Sequence, residues 1–134
     1  MSLEENQPRP TLAILGGTGK EGPGLALRWA AQGYSVIIGS RQLEKAQQTA
    51  AEVNAALQTD LVRGLLNEEA ARQADISVLT VVQSAHEAAL AGLVEALQGK
   101  ILVDATARVD FRDPKPPEPP AAARRAQQSL GAGV

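Results

Sequence analysis

Cysteine is absent from the 134-residue chain, which excludes disulfides, thiolate metal sites and cysteine nucleophiles together. Aromatic residues are almost absent as well, with Trp29, Tyr34 and Phe111 the only three. The core must therefore be built of Ala, Val, Leu and Ile, a composition that suits parallel strands covered by alanine-rich helices. Neither charge sign forms a block, and 13 basic residues against 15 acidic ones leave a formal net charge of -2. That balance argues against a nucleic-acid or membrane-surface partner. No apolar run approaches the ~18 residues of a membrane span. The polar start from Met1 to Pro8 lacks the features of a signal peptide, and the expected location is the cytoplasm.

What is present is a regular alternation. At 44% hydrophobic the chain can form one core but hardly two. Thr11–Leu15 is a short apolar run closed by glycine, as in a central buried strand. Leu25, Ala26, Trp29 and Ala30 then recur at helical spacing until Gly33. Tyr34–Gly39 is rich in β-branched residues and predicts the second strand; Leu43, Ala46, Ala50, Val53 and Leu57 predict a surface helix after it. A weaker strand over Leu61–Leu65 and a short helix from Asn67 to about Ala74 follow. Ile76–Val82 is the fourth strand, Ala85–Leu97 an amphipathic helix closed by Gly99, and Lys100–Asp104 the fifth strand.

Strands alternating with helices predict an α/β fold, a Rossmann-type doubly wound parallel sheet in the order 3-2-1-4-5. The expected organisation is a disordered tail over residues 1–10, a dinucleotide-binding domain over 11–107, and a tail section over 108–134. That last section holds a stiff proline-rich linker, Asp113–Pro120, and a helix over Ala121–Leu130. Gly131–Val134 resembles a turn into another strand, so the 134 residues are expected to be the front part of a longer protein.

Gly17, Gly19 and Gly22 stand in G-x-G-x-x-G spacing between the first strand and the first helix, the arrangement of a dinucleotide pyrophosphate site. Glycine permits the tight turn, the approach of backbone to diphosphate and close packing of helix on strand. Free N–H groups and the positive end of the helix dipole then face the ligand, with Thr18 and Lys20 adding a hydroxyl and a charge. The competing account is a glycine turn with no ligand. A triphosphate loop does not fit, because Lys20 lacks the G-x-x-x-x-G-K spacing and no Ser or Thr follows it.

The end of the second strand selects the cofactor. NAD sites carry Asp or Glu about 20 residues past the glycines, to hold the ribose 2′-hydroxyl. Here the corresponding stretch, Ile38-Gly39-Ser40-Arg41, has no acid. Arg41, Ser40 and Lys45 instead offer a guanidinium, a hydroxyl and a second charge, a set suited to a 2′-phosphate, and the predicted cofactor is NADP. The alternative is that Ser40 only caps the helix while Arg41 and Lys45 are solvated.

Catalytic residues are not identified. His86, the only histidine, falls near the cofactor edge, where it would orient a substrate or carry a proton; a lone histidine at a helix start is more often a surface or capping residue. Asp104 and Thr106 would either line the nicotinamide pocket or shape a turn. No Tyr-x-x-x-Lys pair exists to serve as a short-chain dehydrogenase acid.

Leu15-Gly16-Gly17-Thr18-Gly19, Gly24-Leu25-Ala26-Leu27-Arg28 and Ile38-Gly39-Ser40-Arg41 with Lys45 resemble the NADP-binding domain of the coenzyme F420-dependent NADP oxidoreductases. The resemblance runs from about Thr11 to the end and is strongest in the first 45 residues. It implies that Gly17, Thr18, Gly19, Lys20, Glu21 and Gly22 hold the pyrophosphate and that Ser40, Arg41 and Lys45 bind the 2′-phosphate. Val82 and Gln83 stand where the family tends to have Pro and Trp beside the nicotinamide, and Ala107 completes the implied cofactor-binding set. The implied reaction is hydride exchange between NADPH and a deazaflavin or flavin-like small molecule, in an enzyme whose smaller C-terminal domain completes the acceptor site. A homodimer is compatible with this reading. A non-catalytic NADPH-sensing module is the alternative.

Overall fold

The computed structural model describes residues 8–106 and 121–134. The proline-rich stretch Asp113–Pro120, Phe111 and Ala107 lie outside the described residues. Five strands, β1 (Leu12–Leu15), β2 (Val36–Ser40), β3 (Val62–Leu66), β4 (Ile76–Leu79) and β5 (Ile101–Asp104), alternate with helices α1 (Gly22–Ala31), α2 (Leu43–Leu57), α3 (Asn67–Gln73) and α4 (His86–Ala91), and α5 (Ala122–Leu130) closes the chain. The sheet runs β3-β2-β1-β4-β5 with every pairing parallel, which is the strand order the sequence predicts.

The apolar runs are explained by burial on both faces. Successive side chains of a strand point to opposite sides, and here each side meets helices. Ala13, Leu15, Ile37 and Leu79 pack with Ala70, Ala71 and Ala74 of the α3 region, Leu90 and Leu93, and Ala126 and Leu130 of α5. Ile14, Val36 and Ile38 pack with Ala26 and Ala30 of α1 and Ala46, Ala50 and Val53 of α2. Ile14, Leu15, Ile37 and Ile38 are wholly buried, each contributing about 1.5–3 kcal/mol. Alanines on the helices let them approach the sheet closely, which is how a core with so few aromatics is filled.

Two elements are shorter than the sequence pattern predicts. β4 ends at Leu79 rather than Val82: Thr80 N–H still donates to Leu15 O at 3.0 Å, in step with Ile76 N–H on Thr11 O, but β1 itself stops at Leu15 and the chain beyond it turns away through Gly16. The predicted Ala85–Leu97 helix is a 3-10 turn over Gln83–Ala85, the six-residue α4, and turns through Gly99. Gly92, a poor helix former, stands at the break, and Leu93 N–H bonds Leu90 O in place of the i−4 carbonyl. The periodic side chains Leu90, Leu93 and Leu97 reach the core all the same. Arg9, in the predicted tail, donates to Gln32 O and stacks over the Tyr34 ring, 5.2 Å from its centroid. No helix among the described residues is long and apolar enough to cross a membrane.

Candidate cofactor-binding site

The parallel order places the carboxyl ends of β1, β2, β4 and β5 along one edge, where a sheet of this type binds its ligands, at the point where strand order reverses. β1 is the strand at that point. After Leu15 the chain turns through Gly16, whose φ is +70°, and enters α1 at Gly22. Pro23 occupies the first turn of α1, where a missing N–H costs nothing. Leu25 N–H makes the bond to Glu21 O that opens the helical pattern, so Gly22 and Gly24 present N–H groups ahead of it, toward the loop.

The glycines of the motif are needed for different reasons. A β-carbon on Gly22 would overlap the backbone of Gly17, so this glycine is required by the packing of loop on helix. Gly19 is exposed, and the nearest atom its β-carbon would meet is Gly16 O at 3.7 Å, an ordinary contact. Nothing in the described protein demands glycine at 19. A group docked against the loop from outside would, and that fits the diphosphate cradle. Thr18 is half-buried, whereas Lys20 and Glu21 are exposed at the mouth of the loop.

The loop is braced from behind by residues that the motif does not contain. Gly17 N–H donates to Gly39 O at 2.8 Å, joining the loop to β2. Gly16 N–H donates to the side-chain oxygen of Asn67 at 3.0 Å. Thr80 Oγ1 lies 3.1 Å from Leu15 O and 3.2 Å from Gly16 O. Asn67 and Thr80 were legible only as a helix start and a strand residue; no local signal marks their reach to the glycine turn.

At the end of β2 the structure brings Ser40, Arg41 and Lys45 to the start of α2. Ser40 is buried, and its hydroxyl accepts the Gln42 N–H at 3.1 Å. It is not the N-cap of α2; that position is Gln42, which makes no side-chain cap bond. Having accepted one bond, the Ser40 hydroxyl keeps its own O–H to donate. Arg41 and Lys45 are exposed, and Glu44 shares the first turn of α2. A hydroxyl donor, a guanidinium and an ammonium at a helix start make a donor set for a phosphate, tempered by one carboxylate.

On the other side of β1, Val82 is 69% exposed at the head of the 3-10 turn that Gln83 begins. His86 is not the surface residue that its place at a helix start allowed. It is buried, and its Nε2 lies 2.6 Å from Asp104 Oδ2, with both side chains nearly closed to solvent. A carboxylate only accepts, so the imidazole carries its proton on Nε2 in this pairing. The second oxygen of Asp104 accepts Thr106 N–H at 2.9 Å. Asp104 therefore both shapes a turn and holds the histidine.

Comparison with known proteins agrees with this geometry. The family model described as "NADP oxidoreductase coenzyme F420-dependent" matches residues 11–108. A protein named F420-dependent NADP reductase from Methanothermobacter marburgensis is 50% identical over 101 residues, 74% of this chain and 45% of the relative. One of the same name from Methanocaldococcus jannaschii is 40% identical over 97 residues, 69% of this chain and 43% of the relative. The chain thus spans less than half the length of the curated relatives it matches. Among solved structures, a candidate F420-dependent NADP-reductase from Arthrobacter sp. FB24 superposes with a TM-score of 0.71 at 29% identity, over 91% of this chain and 59% of that one. A lactate dehydrogenase from Cryptosporidium parvum, 13% identical with a TM-score of 0.70 over 92% of this chain and 42% of its own, shares the fold alone. Matched over most of its described length and carrying the glycine loop and the β2 end on one sheet edge, the chain belongs to the coenzyme F420-dependent NADP oxidoreductase family.

Proposed function

We propose that this chain is the NADP(H)-binding domain of an oxidoreductase that passes a hydride between NADPH and a deazaflavin such as F420. The observation that carries the reading is the pairing of two features one strand apart. An exposed glycine at 19, which the described protein does not itself require, lies in a loop whose Gly17 N–H is bonded to Gly39 O, and the acid-free end of β2 continues from there into Ser40, Arg41 and Lys45. Family membership supports the same cofactor and the same class of acceptor.

In this reading the N–H groups of the Gly17–Gly22 turn and of the first turn of α1 hold the diphosphate, with Lys20 lending charge. Arg41, Lys45 and the Ser40 O–H bind the 2′-phosphate, which NAD lacks. Val82 and the Gln83 turn, which follow β4, are assigned to the nicotinamide end, and Ala107, outside the described residues, is assigned there by resemblance to the family alone. The cofactor supplies the hydride chemistry, and the chain supplies binding and ring alignment. In the relatives' longer chains a further domain would complete the acceptor site. In this reading the hydride passes directly between the two rings, and no acid–base pair of this chain is called on.

Titration of this chain with NADPH and NADH tests the cofactor, and equal affinity for the two would overturn the 2′-phosphate assignment. Hydride exchange followed by the absorbance of F420 and NADPH tests the reaction. Tight NADPH binding without exchange would assign the chain to binding or sensing alone.

A further inference from the structure

The buried pair His86–Asp104 is placed where it controls a different end of the cofactor from the glycine loop. With the pyrophosphate over β1 and the 2′-phosphate at β2, the remainder of an extended dinucleotide must run the opposite way along the sheet edge. That direction leads over β4 and β5, one strand spacing (~4.8 Å) at a time. The strand ends there are Leu79 and Asp104, which are partners in register.

The segment between β4 and α4 is anchored at both ends by polar side chains. At its start, the Thr80 hydroxyl holds the end of β1. At its close, His86 Nε2 bonds Asp104 Oδ2 at 2.6 Å, while Asp104 Oδ1 accepts Thr106 N–H at 2.9 Å and Ala105 N–H donates to Leu79 O at 2.9 Å. Between the anchors, Ala85 N–H bonds Val82 O at 2.9 Å and the Val82 side chain stands in the open. An exposed apolar side chain on a short turn tied at both ends is a platform for the face of a flat ring.

Burying a carboxylate and an imidazole costs free energy that apolar residues would not, even when the two are paired. Leu79, Leu90, Leu93 and Leu97 fill the neighbouring core with no polar partner at all. Simple attachment of α4 to β5 would be met by more of the same. A directional, 2.6 Å bond instead fixes the orientation of the turn.

We propose that His86 and Asp104 are positioning residues for the nicotinamide half of NADP(H): through one buried hydrogen bond they set the Val82–Ala85 turn against which the ring lies, while leaving the adenosine 2′-phosphate end unaffected. This rests on the cofactor reading above. Three variants of the full chain, His86→Leu, His86→Gln and the double variant His86→Leu/Asp104→Leu, are titrated with NADPH and with 2′,5′-ADP, which carries the 2′-phosphate end but no nicotinamide. The double variant guards against a fold lost through the unpaired carboxylate of His86→Leu. The expected result is a tenfold or greater loss of NADPH affinity in the two leucine variants, with a smaller change in nicotinamide fluorescence on binding. Their 2′,5′-ADP affinity stays within twofold of the wild type, and His86→Gln, which keeps an N–H donor, recovers most of the NADPH affinity.

The proposal is overturned if the double variant binds NADPH as the wild type does, if both ligands weaken equally, or if glutamine is no better than leucine. A wild-type chain that binds neither ligand would overturn the cofactor reading and this proposal together. Normal wild-type binding with unaffected variants would overturn this proposal alone.

Discussion

The side-chain oxygen of Asn67, the opening residue of α3, accepts the Gly16 N–H at 3.0 Å across 51 residues of sequence. The glycine turn is therefore held in place by a helix that packs across β1 and β2. The position of the loop depends on a contact that the motif itself does not supply.

Replacing Asn67 by Ala leaves a part-buried N–H without its acceptor, which costs about 1–3 kcal/mol. Urea denaturation of Asn67→Ala should show that loss, and NADPH affinity should fall with it because the loop is no longer fixed. Asn67→Asp keeps an acceptor but places a negative charge behind the proposed diphosphate cradle. It should retain more stability than the alanine variant and still bind NADPH more weakly.

Arg41 is exposed and lies at the α2 start beside Ser40. A charge-assisted hydrogen bond to phosphate is worth about 1.5–3 kcal/mol, so Arg41→Ala should weaken NADPH binding roughly ten- to a hundredfold by calorimetry. NADH binding should not change. The advantage of NADPH over NADH should also shrink as salt is raised, since an exposed ion pair is screened.

In the proposed site, Gly19 answers to the ligand, whereas Gly22 answers to the packing of the loop. Gly19→Ala meets no close atom in the protein and should unfold within about 0.5 kcal/mol of the wild type, yet bind NADPH poorly. Gly22→Ala places a methyl group into the Gly17 backbone and should be strongly destabilised, by several kcal/mol or about the overpacking range and above. Thermal melts of the two variants side by side would read out the contrast.

Ser77, in the middle of β4, is wholly buried and its hydroxyl has no hydrogen-bond partner among the described residues. Its neighbours across the ladder are Ala13 and Leu102. Removing an unsatisfied buried hydroxyl recovers its desolvation penalty, so Ser77→Ala should raise stability by about 1 kcal/mol. Denaturant midpoints check this, and a drop would show that the hydroxyl is satisfied.

Strands, helices and their order were legible because each is declared locally. Val36, Ile37 and Ile38 are β-branched and buried on both faces, and Ala46, Ala50 and Val53 recur at helical spacing on the buried side of α2. Gly17, Gly19 and Gly22 likewise lie within six residues of one another, so their spacing can be read along the chain. Parity along a strand and periodicity along a helix are properties of neighbouring residues, and composition then dictated two helical layers made of small side chains.

The tertiary structure alone decided what stands behind the site. Asn67 meets Gly16 across 51 residues, Thr80 meets Leu15 across 65, and His86 meets Asp104 across 18. Each of these residues had an adequate local explanation, as a helix start, a strand residue or a surface histidine. Their actual partners depend on which strand ends lie side by side, and a hydrogen bond of about 3 Å is specified by that juxtaposition in space, which spacing along the chain does not encode. The length at which helix four breaks at Gly92 was decided the same way: Leu90, Leu93 and Leu97 reach the core through turns as well as through a helix, so apolar periodicity alone could not distinguish the two.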